Sequence, residues 1–132
     1  MFQAMRFWFR SFKRTLETVE EVDVQTEVID AAVIFIHAEA KDEADRNKIL
    51  TKALKNVKWL ANKRGFNNVV LHSFTHLGGD TASAEFAHEF IDSMAARLRT
   101  TGYEVWLTPF GYVCEWDLAV YGESLAKVFK AL

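Results

Sequence analysis

Directly behind the apolar run Val69–Leu71 the chain reads HSFTHLGGD, His72 to Asp80, with two histidines, two hydroxyl residues and a glycine pair in nine positions. Where a buried strand hands over to a helix, unpaired backbone N–H groups and the helix dipole point outward, and ligands gather there. Gly78 and Gly79 let the backbone approach a ligand closely. His76 has the chemistry of a donor, acceptor or base near neutral pH. The same nine residues also suit an ordinary glycine turn with solvent-facing histidines, and spacing alone leaves both readings open. His72, inside the apolar run, reads as a satisfied sheet histidine.

Other chemistries fare less well. Four histidines (His37, His72, His76 and His88) are present, but the four-residue spacing of His72 and His76 shares a face only in a helix, and this segment reads as strand into loop. No metal site is expected. Ser73, Ser83 and Ser93 lack a G-x-S-x-G context, and no G-x-x-x-x-G-K-[ST] loop exists. A second candidate is TPFGYVCEW, where Pro109 and Gly111 stiffen a turn that presents Phe110 and Tyr112, either to stack on a base or to pack in the core. The third, YGESLAKVF, bends at Gly122 and sets Lys127 one helical turn after Glu123, which reads as a surface ion pair.

These corners need elements to hold them. Alternation through Phe7–Arg10 and through Val22–Val28 predicts two half-buried strands, and the β-branched apolar run Ala31–Ala38 predicts a central strand covered on both faces. From Asp45 to Arg64 an apolar stripe of Ile49, Leu50, Ala53, Leu54, Val57, Leu60 and Ala61 predicts a helix with its lysines elsewhere and Gly65 as its C-cap. Asn68–Phe74 is the next buried strand. Phe86, Phe90, Met94 and Leu98 mark a helix over Ala82–Thr100, capped by Asp80 or Thr81 and ended by Gly102. Tyr103–Leu107 and Glu115–Tyr121 follow as strands, the latter with Trp116, Leu118 and Val120 inward, and Ser124–Leu132 as a short helix. The expected class is α/β, bordering on α+β: a mixed sheet backed by two long helices and a short C-terminal helix.

Composition sets the outer limits. A chain of 132 residues, 50% hydrophobic and 14% aromatic, suits one domain spanning 1–132 with a real core. Sixteen basic residues against eighteen acidic ones give a net charge of −2. No long-range positive field is then expected to hold nucleic acid, so such a partner must be gripped locally and with a modest salt slope. The single Cys114 fits a reducing compartment and a cytoplasmic protein. Met1–Lys13 is interrupted by Arg6 and Arg10 and reads as a strand, with no membrane span.

Four stretches together, VIFIHAEAKDE (Val33–Glu43), NNVVLHSFTHLGGD (Asn67–Asp80), GYEVWLTPFGY (Gly102–Tyr112) and YGESLAK (Tyr121–Lys127), resemble the editing domain at the N-terminus of archaeal threonyl-tRNA synthetases. That family is related in fold to D-aminoacyl-tRNA deacylase. Its segments read like FAHL, PFG followed by an aromatic, and KGHPLAE; here they stand as Phe74–Leu77, Pro109–Tyr112 and Tyr121–Lys127, in matching order over Ala31 to Lys127. The resemblance implies a homodimeric hydrolase without cofactor that removes serine mischarged onto threonine tRNA, cleaving the ester at the 3′-terminal adenosine with help from the tRNA's 2′-hydroxyl. It implies catalytic roles for His76, Thr75 and Tyr112, with Phe74, Pro109, Phe110, Gly111 and Lys127 lining the substrate. Backbone N–H groups around Thr75 and His76 suit the developing oxyanion without any side-chain nucleophile.

Departures from the family are specific. Val113 and Cys114 stand where it has a second aromatic and a positive neighbour, Lys127 stands where its glutamate ends the closing segment, and Lys13 is a loose match to its N-terminal lysine. An ammonium at 127 repels the substrate's α-ammonium where a carboxylate would attract it. Two expectations follow: a deacylase acting in trans on an aminoacyl-tRNA 3′ end, beside a separate threonyl-tRNA synthetase, or a catalytically impaired binding and dimerisation module on the same scaffold.

Overall fold

Residues 1–132 are described by a computed structural model. The alternation at the start of the chain forms one long strand, β1 (Phe2–Arg14). Phe7 and Phe9 are buried at 0% and 1% exposure, while on the other side of the strand Arg6 bridges Glu27 and Asp117 at 3.1 and 2.9 Å.

The two strands expected over Val22–Val28 and Ala31–Ala38 are instead a single strand, β2 (Gln25–Ile36), paired with β1 in one unbroken register from Phe2↔Val33 to Arg10↔Gln25. The exposed pair Ile29–Asp30 reads as a break in sequence, and Asp30 does take a left-handed φ of 49°. Pairing on both sides of it carries the strand through, and Tyr121 Oη donates to Asp30 Oδ1 at 2.6 Å.

α1 (Arg46–Asn62) and α2 (Ala84–Thr100) follow β2 and β3 (Asn68–Ser73). Short β4 (Glu104–Leu107) and edge strand β5 (Tyr112–Val120) complete a sheet of order β4-β3-β2-β1-β5. Pairing is parallel for β2–β3 and β3–β4, antiparallel for β1–β2 and β1–β5. β2 is central, as its apolar run requires. Both helices lie on one face, where Leu54, Val57, Leu60, Met94 and Leu98 bury Ala32, Ile34, Val69 and Leu71. The opposite face carries a cluster of Phe7, Phe9, Val28, Val33 and Val70 with no helix residue in it. Trp116 shares that face but stays 42% exposed, because an edge strand has a neighbour on one side only.

Two expectations at element ends change. The N-cap of α2 is Ser83, whose Oγ accepts from Phe86 N at 3.2 Å, and neither Asp80 nor Thr81 fills that role. Ala82 N donates to Ala38 O at 2.9 Å, so the residues before the cap are drawn to the end of β2. The expected C-terminal helix shrinks to a 3-10 turn, Ser124–Ala126. So short a segment is marginal as a free helix, and its backbone finds partners on the start of β1: Lys127 bridges Phe2, and Val128 N donates to Met1 O at 2.9 Å. Glu123 does not pair with Lys127. It pairs with Arg64, whose guanidinium also stacks 3.7 Å from the Tyr121 ring and donates to the buried Gln3 at 3.1 Å.

Candidate active site at the strand ends

Because β2 and β3 run parallel, their C-terminal ends open on the same side, and the chain leaves both there. Phe74 N donates to Ile36 O at 2.8 Å, extending the ladder by one rung before the loop departs. Between these anchors stands His37. Its Nδ1 accepts from Leu77 N at 3.0 Å and its Nε2 lies 2.7 Å from Asp80 O, so the ring proton sits on Nε2. One imidazole thereby clamps the loop on both sides of the glycine pair. A Cβ on Gly78 would lie 3.2 Å from His37 Cε1 and 3.4 Å from Glu39 Cδ, so the close approach suits glycine.

The clamp selects which amides remain free. Leu77 N is used by His37 and Phe74 N by Ile36, while the N–H groups of Thr75 and His76 meet no acceptor within the chain. His76 is exposed, with its ring edge-on to Phe74 at 5.0 Å. Phe74 in turn packs on Phe35 at 5.1 Å, and Phe35 touches Phe2, Phe7, His72 and Trp116. The loop is thus founded on an aromatic cluster of the helix-free face.

His72 is the satisfied sheet histidine that its position implied: buried, with Nδ1 2.8 Å from Thr108 Oγ1. Burial disfavours the imidazolium and lowers its pKa to about 4. An unfolded chain takes up that proton near pH 6.5, so between pH 6.5 and 4 the unfolded state binds more protons and native stability falls as pH falls. The expected loss is about 3 kcal/mol by pH 4. Urea midpoints at stepped pH should decline across this window in the native chain and decline less in His72→Gln.

Lys127 and Leu77 border a cavity of about 430 Å³ lined mainly by apolar side chains of β2, α1, α2 and the chain's last residues, with His37, Asp42 and Asn56 among its polar members. The Lys127 ammonium donates to the Tyr121 carbonyl at 3.1 Å. Pro109 and Phe110 border a different pocket of about 200 Å³ with Ser73, His88 and Asp92, where Phe110 stacks flat on His88 at 4.3 Å. The two corners sit at the same end of the sheet, since Thr108 N donates to Leu71 O at 3.2 Å and Phe110 packs near Ala82 and Ala87. They do not share a cavity.

Tyr112 lies apart from both. Its hydroxyl donates to Glu20 O at 2.9 Å and accepts from Val22 N at 2.8 Å, pinning the loop between β1 and β2. Gly111 supports the same loop, accepting from Thr15 N at 2.7 Å and Thr15 Oγ1 at 2.9 Å. Its φ of 79° and a Cβ position 3.0 Å from Val19 Cγ2 exclude a side chain. Gly111→Ala should cost about 1–3 kcal/mol, read as a lower urea midpoint with an unchanged slope.

Of the expected site residues, the fold therefore brings Phe74, Thr75 and His76 together, sets Lys127 on the neighbouring cavity, and moves Tyr112 and the Pro109–Phe110 turn elsewhere. His37 was missed as a site residue, because its partners lie 40 and 43 residues away and nothing in its own neighbourhood signals a clamp. No group of three or more His, Cys, Asp or Glu side chains is placed to hold a metal ion.

A mixed five-stranded sheet with both helices packed on one face defines a single-layer-backed α/β domain. Among solved structures it shares this fold with the c-Myc DNA Unwinding Element Binding Protein, at 15% identity and a TM-score of 0.56 over 87% of this chain and 91% of that one. The family model described as the archaea-specific editing domain of threonyl-tRNA synthetase matches residues 1–132, and the chain belongs to that family. Similar curated relatives are the threonine–tRNA ligases of Methanopyrus kandleri (29% identical, 94% of this chain and 20% of the ligase) and Thermococcus onnurineus (27%, 88% and 18%). That of Methanosphaera stadtmanae is 25% identical over 97% of this chain and 21% of the ligase. The chain thus spans about a fifth of the length of the relatives it matches.

Proposed function

We propose that this editing-family domain hydrolyses the ester of a mischarged aminoacyl-tRNA in trans, with Ser-tRNA(Thr) or a related species as substrate. The observation that carries this reading is the pair of free amides at Thr75 and His76, held in place by the His37 clamp beside an exposed imidazole. As water attacks the aminoacyl carbonyl, its oxygen gains negative charge that the two N–H groups stabilise. His76 orients the water or the ribose hydroxyl and handles the proton. The carbonyl–oxygen bond to the terminal ribose then breaks, and the ribose oxygen leaves with a proton as the free hydroxyl. No side-chain nucleophile, metal or cofactor enters these steps. Lys127 places a cation beside the adjoining cavity, and it disfavours there the α-ammonium that every aminoacyl ester carries. The domain is proposed to work in the cytoplasm as a homodimer, beside a separate threonyl-tRNA synthetase.

A second reading, a catalytically impaired binding and dimerisation module, is favoured by one specific arrangement: the Tyr112 hydroxyl is spent on Glu20 and Val22, and the Lys127 ammonium on a backbone carbonyl. Incubation with Ser-tRNA, Thr-tRNA and D-aminoacyl-tRNAs separates the two. Ester loss that depends on His76 supports the hydrolase. Half-lives equal to those in buffer for every substrate support the module.

A further inference from the structure

The charge of α1 runs against the charge of the chain. Overall the basic and acidic residues number 16 and 18, yet Arg46–Asn62 contains Arg46, Lys48, Lys52, Lys55 and Lys58 and no carboxylate, and Lys63 and Arg64 follow at once. Arg46 and Arg64 are neutralised by Glu89 and Glu123. The five lysines belong to no ion pair.

At 100° per residue Lys48, Lys52, Lys55 and Lys63 fall on one outward stripe about 22 Å long. Trp59 lies on the same stripe, an indole 38% exposed with Lys63 Nζ 5.9 Å from its ring centroid. Like charges three and four residues apart repel and weaken a helix, and a helix face that merely meets water relieves this by interleaving acids. Here nothing relieves it, and a large aromatic is left in water among the ammonium groups. Next to the stripe, Ile49, Ala53 and Asn56 of the same helix line the 430 Å³ cavity beside Leu77.

We infer that the outer face of α1 is a docking surface for the phosphate backbone of an RNA, with Trp59 stacking on an exposed base or ribose. Lysines spaced along a rod match a linear polyanion, and an indole among them is the usual companion in nucleic-acid grooves. A protein partner with an acidic helix would satisfy the lysines, but a row of ammonium groups flanking one indole matches the alternation of phosphate and base in a nucleic-acid strand. The local grip needed by a chain of net charge −2 is thereby supplied by one helix. The inference rests on the tRNA reading for the identity of the RNA, while the surface itself stands on charge and exposure.

Binding of a deacylated tRNA transcript, measured by fluorescence anisotropy over a series of salt concentrations, tests the surface without requiring any hydrolysis. Lys52→Gln/Lys55→Gln should weaken binding and make the slope of log K against log salt shallower by about 2. Arg97→Glu makes the same change of two charge units on α2 and should leave the slope near that of the native chain. Trp59→Ala should weaken binding with the slope unchanged. Equal slopes for the lysine pair and Arg97→Glu, with helical circular dichroism intact in both, would overturn the inference whatever the ester assay shows. Loss of binding confined to the lysine pair would uphold it even if no ester is cleaved.

Discussion

Alanine at position 76 is expected to slow ester hydrolysis by about 10²–10⁴-fold, the usual contribution of a positioned acid–base group, without lowering the thermal midpoint. The separation of the two effects follows from the surroundings. His76 is exposed and touches the fold through one edge-on contact with Phe74, so truncation removes little packing. The loop is fixed by other bonds: Phe74 N to Ile36 O, Leu77 N to His37 Nδ1 and His37 Nε2 to Asp80 O. The free amides of Thr75 and His76 survive the substitution because they belong to the backbone. Residual hydrolysis above the buffer rate is therefore expected in His76→Ala, supplied by those two donors. Single-turnover decay of seryl-tRNA with native and variant protein, together with a melting curve for each, measures both effects. Equal decay rates would remove His76 from the reaction.

Phe7→Ala should cost about 3–5 kcal/mol, the range for deleting a buried aromatic ring. That is a large share of the roughly 5–15 kcal/mol typical of a whole domain. Phe7 is 0% exposed and sits where β1 meets both β2 and β5, opposite Val28 on one side and Leu118 on the other. Its ring lies 5.7 Å from Phe9 and 6.4 Å from Phe35. No helix covers this cluster, so no helix can settle into the space left behind, and the loss should approach the upper end. Because Phe35 also supports Phe74, the cavity should loosen the candidate corner at Thr75–Leu77 before global unfolding. Urea titration gives the stability change, and hydrogen exchange at Thr75–Leu77 reports the local one. A cost under about 1 kcal/mol, the level of a volume-conserving core swap, would show that the ring is not a core member.

Much of the scaffold could be read directly. Leu50, Leu54, Val57, Leu60 and Ala61 recur at helical spacing and are all buried in α1, and Phe90, Met94 and Leu98 do the same for α2. These patterns are legible because burial of a helix face repeats every three to four residues along one segment. The joined strand Gln25–Ile36 was less so, since Ile29–Asp30 interrupts the apolar run and only pairing with β1 shows that the strand continues. The last helix failed for a related reason: a segment with a helix-like composition found its hydrogen bonds on Met1 and Phe2 at the far end of the chain.

The candidate corner divides along the same line. Residue type and order determined that a glycine-rich loop with His76 follows a buried strand, that the family motifs stand in sequence, and that α1 carries lysines off its apolar stripe. Tertiary structure alone decided that His37 fixes the loop, that Thr75 and His76 keep their amides free, that Tyr112 serves another loop, and that the Pro109 turn faces its own pocket. The reason is the range of the forces involved. Periodicity and turn chemistry act over a few neighbouring residues. A hydrogen bond between an imidazole at 37 and an amide at 77 exists only after two parallel strands have brought their ends together.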